Sequence, residues 1–334
     1  MTALGLRVTP ALVLKSHSCR TMGHFLLRHD VNRFLRKSFM QKMNWGNAIL
    51  VIFLAALYLG ARGHHAPPKP LPYDAAPSSY SAERAFEHIL HIAEEPHPAG
   101  SAQADKVRDY IFAQIKQVGL APEIQESVVY RPPSTFATTH NVVARLKGTS
   151  RTGDAIALMA HYDSVAFGPG AADDGSGVAA MLEAMRALKN GGALFNDVVF
   201  IFTDGEEGRA AGGTGLRGAY AFVEHHPWSK DIRVVINFDA RGTRGQTYMY
   251  RTSGKNAWLI KHLALSRCKA ATSVAYEVYS RMPVDSDLTA FIDAGIPGYD
   301  CASIHGLEKY HTMLDSPGNV SLASLQHNGE YALK

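Results

Sequence analysis

Cysteine is scarce in this sequence, which has three such residues in 334 positions. Cys19, Cys268 and Cys301 follow no spacing that is used to bind a metal ion through thiolates, which excludes a cysteine-based zinc site. Cys19 precedes an apolar run at residues 45–61. A disulfide within the main body, the residues that follow this run, would therefore have to join Cys268 to Cys301. We interpret these two residues as buried thiols, and their pairing is the alternative.

The main body also lacks an excess of basic residues. The chain has a formal net charge of +4, but residues 1–61 hold eight Lys and Arg against one acidic residue, Asp30. Because the totals are 34 basic and 30 acidic residues, the rest of the chain holds 26 and 29. A nucleic-acid-binding domain normally shows a basic stripe, so we expect no nucleic-acid partner. The length, with 46% apolar residues, fits one large α/β domain and an appendage.

One long apolar run lies near the N-terminus. Trp45 to Ala61 has no charged residue, and at about 1.5 Å per residue it barely crosses a ~30 Å hydrocarbon core. Trp45 and Tyr58 lie near its ends, as interfacial aromatic residues do. We therefore predict a transmembrane anchor over residues 45–61. The basic residues precede it, so we expect residues 1–44 in the cytoplasm and the remainder on the periplasmic, luminal or vacuolar side.

A second interpretation of this run is a cleaved signal peptide, which would give a secreted protein. Its strongest apolar part, Ala48–Leu59, has the short length of such a signal, although no small-x-small cleavage site follows. Translation that starts at Met40 or Met43 would remove residues 1–39, which show no domain pattern.

A Pro-rich segment separates the apolar run from the main body. Residues 66–79 contain five prolines and favour an extended polyproline conformation. We predict that residues 62–79 form a stalk, which holds a domain of residues 80–334 off the membrane.

Residues 80–334 alternate between helical and strand-like patterns. The predicted helices cover 82–92, 102–118, 178–188, 215–224, 256–266 and 322–334. The predicted strands cover 123–130, 141–146, 155–160, 198–202 and 234–238. The last three strands are continuous apolar runs, which are typical of buried parallel strands. The alternation predicts an α/β fold, a three-layer α/β/α sandwich with a mixed, mostly parallel twisted sheet.

Acidic and histidine residues follow these buried runs or lie in tight turns, where parallel sheets place ligands. The candidates are His161, Asp163, Asp173, Glu206, Glu207, Asp239 and His311. Taken singly, each has an ordinary explanation, such as a helix cap at Asp173-Asp174 or a solvated acidic turn at Glu206-Glu207. Taken together they fill two coordination spheres, so we predict a two-metal hydrolytic site.

The residue types indicate roles within such a site. One carboxylate must bridge two dications, and we predict Asp173 for this role because a rigid turn holds it. Glu207 would bind a metal ion, while Glu206 would stay unliganded and move protons. Asp163 would accept a hydrogen bond from the second ring nitrogen of His161.

Two residues are candidates beside the metal ligands. Tyr310 directly precedes His311, and its hydroxyl is a candidate donor to a developing oxyanion. Arg241, close after Asp239, is a candidate for binding a substrate carboxylate, with a surface arginine as the alternative.

Five motifs of the chain resemble the co-catalytic di-zinc aminopeptidases, a family that includes glutamate carboxypeptidases and glutaminyl cyclases. They are His161-Tyr-Asp163, Gly-Ala-Ala-Asp173-Asp-Gly-Ser-Gly, Glu206-Glu207, Asn-Phe-Asp239 and Tyr-His311-Thr-Met-Leu-Asp315-Ser-Pro, in the family's order. The resemblance covers about residues 80–334 and implies a cis bond between Asp173 and Asp174. The implied zinc ligands are His161, Asp173 and Asp239 for one ion, and Asp173, Glu207 and His311 for the other.

The resemblance also implies a function. We expect a zinc-dependent exopeptidase of the aminopeptidase type with two Zn²⁺ per chain, a metal-bridging hydroxide and Glu206 as general base. A glutaminyl cyclase-type aminoacyltransferase, which generally uses one zinc ion, and a non-catalytic ectodomain on the same fold are the alternatives. The implied partners are a peptide substrate and, through the N-terminal helix, a membrane.

Two further motifs resemble the membrane-anchored subgroup of endoplasmic reticulum and vacuolar type. They are Arg281-Met-Pro-Val-Asp285-Ser-Asp287 and Leu325-Gln-His-Asn-Gly-Glu330. The chain departs from that subgroup at Arg209–Thr214, which resembles an insertion, and at Asp239, where Glu is frequent. It also stops inside the predicted helix 322–334, where relatives continue into several membrane spans, so we expect a naturally short or a truncated product.

Overall fold

The computed structural model describes residues 45–131, 135–208, 215–266 and 270–334. The chain divides into two units, Met1–His64 and His65–Lys334. The described part of the first unit is one helix, α1 (Trp45–His64), whose apolar window has no buried residue. By length and composition, α1 is the one helix in the described part of the chain that is able to cross a membrane.

The second unit is built around a sheet of seven strands. They are β1 (Glu123–Arg131), β2 (Thr135–Leu146), β3 (Ala155–His161), β4 (Asp197–Thr203), β5 (Ile232–Phe238), β6 (Arg244–Thr252) and β7 (Gly298–His305). Their order across the sheet is β1-β2-β4-β3-β5-β7-β6. The central strands β4, β3, β5 and β7 are parallel, while β1 and β2 on one side and β6 on the other pair in antiparallel fashion. The predicted mixed sheet is confirmed.

Eight described helices surround this sheet. They are α2 (Ala82–Ile92), α3 (Ala102–Gln117), α4 (Gly175–Lys189), α5 (Arg217–His225), α6 (Ala257–Leu265), α7 (Ser273–Tyr279), α8 (Leu288–Asp293) and α9 (Leu322–Leu333). Several begin at a side chain that accepts a backbone hydrogen bond in the first turn. Ser81 caps α2, Ser101 caps α3 and Asp174 caps α4 in this way.

Helices cover both faces of the sheet because successive side chains of a strand point to opposite faces. On β3, Leu158 packs in one apolar cluster and Met159 in another. The first cluster contains Met181 of α4, and the second contains Phe222 of α5 and Phe291 of α8. The second unit is therefore the predicted three-layer α/β/α sandwich.

The Pro-rich segment belongs to the second unit and is hydrogen-bonded to its helices. Its carbonyl groups accept hydrogen bonds from two guanidinium groups. Arg84 donates to three of these carbonyls at 2.5–2.9 Å, and Arg186 donates to two at 2.5 and 2.9 Å. A Pro-rich chain has many unpaired carbonyls and few N–H groups, so arginine donors suit it. The domain boundaries at 62–79 and 80–334 stay predictions.

Glu183 on α4 holds these two arginines in place. Its buried carboxylate accepts hydrogen bonds from Arg84, from Arg186 and from the N–H of Ser81. We expect Glu183→Ala to lower the free energy of unfolding by about 3–5 kcal/mol, because it leaves these donors without their partner. Denaturant titration of the full chain in detergent measures this loss. The exposed Glu87 on α2 is the matched control, since Glu87→Ala should stay within about 0.5 kcal/mol; equal effects of the two substitutions would contradict the prediction.

Several predictions fall outside the described residues. These are the basic N-terminal segment 1–44, the insertion-like Arg209–Thr214 and the position of Cys268. Cys301 is buried on β7. The pairing of Cys268 with Cys301 therefore stays a prediction.

Candidate metal centre

The candidate residues gather at one edge of the sheet, at the carboxyl ends of β3, β4 and β5. His161 is the last residue of β3, Glu206 and Glu207 lie in the turn after β4, and Asp239 directly follows β5. Because these strands are parallel, their carboxyl ends meet at the same edge.

His161 is buried and contacts a neighbour through each ring nitrogen. Its Nδ1 lies 2.9 Å from the main-chain oxygen of Asp163, which requires Nδ1 to carry the hydrogen. Its Nε2, the nitrogen that a metal ion would bind, lies 3.3 Å from Oδ1 of Asp173. A neutral imidazole that is oriented in this way is a common zinc ligand.

The carboxylate of Asp163 does not orient His161 as the sequence predicts. The nearer carboxylate oxygen lies 3.7 Å from Nδ1 of His161, farther than the main-chain oxygen that accepts the hydrogen bond. The carboxylate instead accepts the N–H groups of Gly205, Glu206 and Glu207 at 2.9–3.1 Å. These donors satisfy its two oxygens, so Asp163 fixes the acidic turn against the end of β3.

Asp173 lies between the two imidazoles of the site. Its Oδ1 is 3.3 Å from Nε2 of His161, and its Oδ2 is 3.1 Å from Nε2 of His311. The side chain is buried, and the bond between Asp173 and Asp174 is cis. One carboxylate thus faces both histidines, which is the arrangement that a bridging ligand requires.

His311 reaches the site from the loop that follows β7. Its Nε2 also lies 2.7 Å from Oε1 of Glu207. Its backbone has φ 56°, a left-handed conformation that is uncommon outside glycine and occurs at functional sites. The imidazole stacks on the ring of Tyr310 with 3.7 Å between centroids. The stacking and the backbone conformation together aim Nε2 at the carboxylates.

Among the described residues, three groups of three could hold a metal ion: one consists of His161, Glu206 and Glu207, and the two others share Asp173. The two that share Asp173 are His161, Asp173 and Asp239, and Asp173, Glu207 and His311. Within each group, one ligand atom from every residue lies within 4.8 Å of the others. Oδ2 of Asp173 and Nε2 of His311 are buried and, among the described residues, make no hydrogen bond of acceptable geometry. Imidazole and carboxylate donors suit Zn²⁺, so the residues fit the predicted metal.

Burial and mutual repulsion raise the pKa of the carboxyl groups in this cleft. Burial and then the charge of Asp173 raise the pKa of Glu207 to about 7 and that of Asp239 to about 6. Burial is also the main reason why the pKa of Glu206 is raised. For His311, burial lowers the pKa, but the carboxylates of Asp173 and Glu207 outweigh it and raise the pKa to about 9. A bound dication would favour ionised carboxylates and neutral imidazoles.

Three further candidates surround the two groups that share Asp173. Glu206 belongs to neither, but its carboxylate lies within 4.8 Å of ligand atoms of His161 and Glu207. Burial raises the pKa of Tyr310, so its hydroxyl stays a hydrogen-bond donor. Cζ of Arg241 lies 4.9 Å from the centroid of the Tyr310 ring.

A family comparison agrees with this geometry. A model of peptidase family M28 matches residues 141–334, which include all the predicted ligands. The chain belongs to peptidase family M28. Membership in this family supports zinc as the metal of the site.

Curated relatives are much longer than this M28 chain. The vacuolar membrane protease of Candida tropicalis is 33% identical over 250 residues, which are 72% of this chain and 26% of that protein. Endoplasmic reticulum metallopeptidase 1 of Mus musculus is 30% identical over 276 residues, which are 76% of this chain and 30% of that protein. The chain therefore spans about a quarter to a third of the length of these relatives.

Solved structures share the fold of this M28 chain. A glutaminyl cyclase of Porphyromonas gingivalis has a TM-score of 0.64 at 21% identity and covers 76% of this chain and 96% of its own. The zinc aminopeptidase BSAP of Bacillus subtilis has a TM-score of 0.62 at 17% identity, over 75% of this chain and 93% of its own. At these identities the likeness shows the fold alone.

Sequence reasoning missed the role of Asp315 in supporting the M28 site. The carboxylate of Asp315 accepts hydrogen bonds from the N–H groups of Ala172 at 2.8 Å and of Asp173 at 3.1 Å. It therefore ties the loop of Asp173 to the loop of His311. Its position four residues after His311 is the one feature of the sequence that could have indicated this role.

Two other buried carboxyl groups behind the site were also missed as supports. Asp287 accepts a hydrogen bond from the hydroxyl of Thr203 at the end of β4. Asp300 on β7 accepts hydrogen bonds from Asn237 of β5 and from Ser286, each at 2.9 Å. Strand β7 was not predicted, so no pattern placed Asp300 beside β5.

Proposed function

We propose that this chain carries a zinc exopeptidase of the aminopeptidase type, which hydrolyses peptide bonds. The observation that carries the proposal is the position of Asp173, which turns one carboxylate oxygen to each imidazole. Asp173 in that position belongs to both ligand groups. Membership in peptidase family M28 also supports a peptidase function.

Two zinc ions per chain are part of this proposal. His161, Asp173 and Asp239 would hold one ion, and Asp173, Glu207 and His311 would hold the other. When bound, zinc would supply Lewis-acid activation of a peptide carbonyl and of water. Side chains that bind no metal ion would carry out the proton transfer and stabilise the oxyanion.

Glu206 is the proposed general base. Its carboxylate lies beside both ligand groups without belonging to either, so it is free to take a proton from water at Oε and to return it to the leaving amine. Asp163 holds the N–H of Glu206 and thereby positions this side chain. Tyr310, whose hydroxyl keeps its proton, would donate to the oxyanion that develops on the substrate carbonyl.

Arg241 is the proposed contact for a charged end of the substrate. It is half-buried, and its guanidinium lies over the ring of Tyr310, close to the metal ligands. A guanidinium binds a carboxylate with two parallel hydrogen bonds, which would favour short peptides with a free carboxyl end.

A zinc-dependent assay tests this function against the two alternatives. The full chain would be offered amino-acid amides, short peptides and carboxyl-blocked peptides, together with peptides that begin with glutamine. Release of free amino acids with two zinc ions per chain supports the exopeptidase. Cyclisation of glutaminyl peptides with one zinc ion would establish the cyclase instead. Zinc binding without turnover of any substrate would establish a non-catalytic ectodomain.

We further propose that α1 anchors the protein in a membrane, with the peptidase unit on the luminal, vacuolar or periplasmic side. The exposed apolar window of α1 and the eight basic residues within residues 1–61 support this orientation. The two curated relatives bear the names of vacuolar membrane and endoplasmic reticulum proteins. Mass measurement of the native protein tests the anchor, because a secreted product would lack residues 45–61.

Zinc affinity is expected to rise with pH between about 6 and 8. In the metal-free site the pKa is about 6 for Asp239, about 7 for Glu207 and about 9 for His311. Protons therefore occupy these ligands at low pH, and each one that zinc displaces weakens binding by about tenfold per pH unit. Calorimetric titration of the metal-free chain in buffers of different ionisation enthalpy measures the protons released. A pH-independent affinity without proton release would contradict this prediction.

A further inference from the structure

Strand β1 forms one edge of the seven-stranded sheet, where β2 is its single neighbour in the strand order. The nine residues of β1 pair with β2 without a shift in register, and no other strand in the described part of the chain pairs with them. At the opposite edge, on β6, the N–H of Thr247 donates to the ring of His327 at 2.9 Å. The N–H of Met249 there donates to the carbonyl of Ala270 at 3.0 Å. The edge at β6 is thus partly occupied, whereas the edge at β1 is open to a further strand.

The contacts of His140 on β2 show which backbone groups of β1 are directed to this open edge. In the register of the sheet, His140 lies opposite Glu126. Its N–H donates to the carboxylate of Asp204 at 2.9 Å, and its carbonyl accepts a hydrogen bond from the hydroxyl of Tyr162 at 3.0 Å. Opposite residues of an antiparallel pair exchange either both hydrogen bonds or none, so His140 and Glu126 exchange none. Glu126 therefore directs its own N–H and carbonyl to the open edge.

The two kinds of pair alternate along an antiparallel ladder, so Ile124 and Val128 also direct an N–H and a carbonyl to the open edge. We call Ile124, Glu126 and Val128 the outward residues of β1. The carbonyl of Ser127 between them accepts the hydroxyl of Thr139 from β2 at 3.4 Å, which agrees with this alternation. An edge of this kind attracts further strands unless proline, lysine or a bulge protects it. Strand β1 contains none of these.

Exposed apolar side chains accompany these backbone groups. Ile124, Val128 and Tyr130 lie on one face of β1 and are 41%, 67% and 50% exposed. Phe136 of β2 lies opposite Tyr130 and is 72% exposed, and the centroids of the two rings are 4.8 Å apart. The other face of β1 is covered, because the side chain of Gln125 there donates a hydrogen bond to helix α5. The same part of β1 thus offers both hydrogen-bonding groups and apolar surface.

We propose that β1 pairs in antiparallel fashion with β1 of a second copy of this chain, about a two-fold axis at Ser127. Ser127 is the middle residue of β1, so this register pairs the whole strand with its copy. It sets Glu126 opposite Val128 of the second copy, and both are outward residues that then exchange hydrogen bonds. It also sets Ile124 opposite Tyr130, which joins the exposed apolar side chains of the two copies. The contact is closed by its symmetry, so it gives a dimer, and it is independent of the catalytic function.

The charge of Glu126 and the length of β1 favour this register over its neighbours. A two-fold axis at Glu126 would set two carboxylates directly opposite each other, and like charges in that position are destabilising. An axis at Val128 would leave Ile124 with no opposite residue in the strand, because β1 ends at Arg131. An axis at Ser127 avoids both costs. The strand is therefore complementary to itself, which is the requirement for a two-fold contact between identical chains.

A cysteine in place of Ser127 tests the register by disulfide formation. At the proposed axis the two Cα atoms of this position would lie about 4.5 Å apart, within the range of a disulfide. We expect Ser127→Cys in the full chain, kept in detergent, to form a linked dimer on oxidation, above the background of the parent chain with its three cysteines. Thr138→Cys is the matched control, because Thr138 is more exposed but lies on β2, one strand farther from the axis. Equal linking in the two variants, or none in Ser127→Cys, would overturn the proposal.

A charge swap tests the predicted pairing of Glu126 with Val128 of the second copy. We expect Val128→Glu to weaken self-association about tenfold, because two-fold symmetry sets a new carboxylate opposite Glu126 twice in each dimer. Adding Glu126→Lys to that variant makes the opposite charges unlike and should restore most of the lost association. Analytical ultracentrifugation in density-matched detergent measures the monomer–dimer equilibrium. A double variant as weak as Val128→Glu alone would overturn the register, and a parent chain that stays monomeric and binds an unrelated extended peptide at β1 would overturn the dimer.

Discussion

Glu206→Gln is expected to lower kcat by about 10³-fold while zinc stays bound. Glutamine has nearly the same shape as glutamate, but its amide cannot take a proton from water or return one to the leaving amine. Glu206 belongs to neither ligand group that shares Asp173, so its replacement leaves both groups complete. Steady-state kinetics on the best substrate of the panel, with metal analysis of the same sample, measures both quantities.

Glu207 is the matched control for this experiment, because it is the adjacent residue and carries the same side chain. Its Oε1 lies 2.7 Å from Nε2 of His311, so Glu207→Gln should lose zinc as well as activity. Loss of zinc in Glu206→Gln, or full activity in that variant, would contradict the division of roles between the two residues.

Asp173→Asn is expected to weaken zinc binding by more than about 100-fold, the upper end of the loss seen when outer partners of a zinc ligand are removed. Asp173 is the shared member of both groups, so its loss acts on each of them. An amide also lacks the negative charge that would offset the charge of the two proposed dications. Metal analysis after dialysis against a weak chelator measures the loss, and activity should disappear with it.

Asp174 supplies the control for Asp173, because it is the neighbouring carboxyl group and is also buried. Burial raises its pKa, and its side chain accepts a hydrogen bond from the N–H of Gly177 as the cap of α4. Asparagine caps helices about as well as aspartate, so Asp174→Asn should keep zinc and activity. Loss of zinc in both variants would mean that the loop conformation, and not the bridging carboxylate, explains the effect.

The parts of the fold that the sequence predicts are those in which one local pattern determines the element. Strand β3 was predicted over 155–160 and covers Ala155–His161, because a continuous apolar run of this short length is typical of a buried strand. Helix α2 was predicted over 82–92 and covers Ala82–Ile92, with Ser81 as its cap and buried apolar residues at helical spacing. Strands β6 and β7 were missed. They are mixed in polarity, with irregular pairing on β6, so neither shows a clear alternation.

The candidate site was predictable for a related reason. His161 and Asp239 follow buried strands, whose parallel order dictates where they meet. The hydrogen-bond partners of the Asp163 carboxylate could not be predicted from the order of the strands. Which oxygen of that residue faces His161 depends on where the turn after β4 folds back, and this is a long-range contact that no spacing reveals. The same holds for Asp315, whose hydrogen bonds reach residues more than a hundred positions away.

The contacts of Asp163 have a consequence for metal exchange. Three main-chain N–H groups donate to its carboxylate, so hydrogen bonds that involve no cation hold the shape of the loop that carries Glu207. We therefore expect that a chelator removes the metal while the loop that carries Glu207 keeps its conformation. Ions with useful spectra, such as Co²⁺ or Cd²⁺, could then be loaded in place of the native one, and the occupancy of each position could be followed separately.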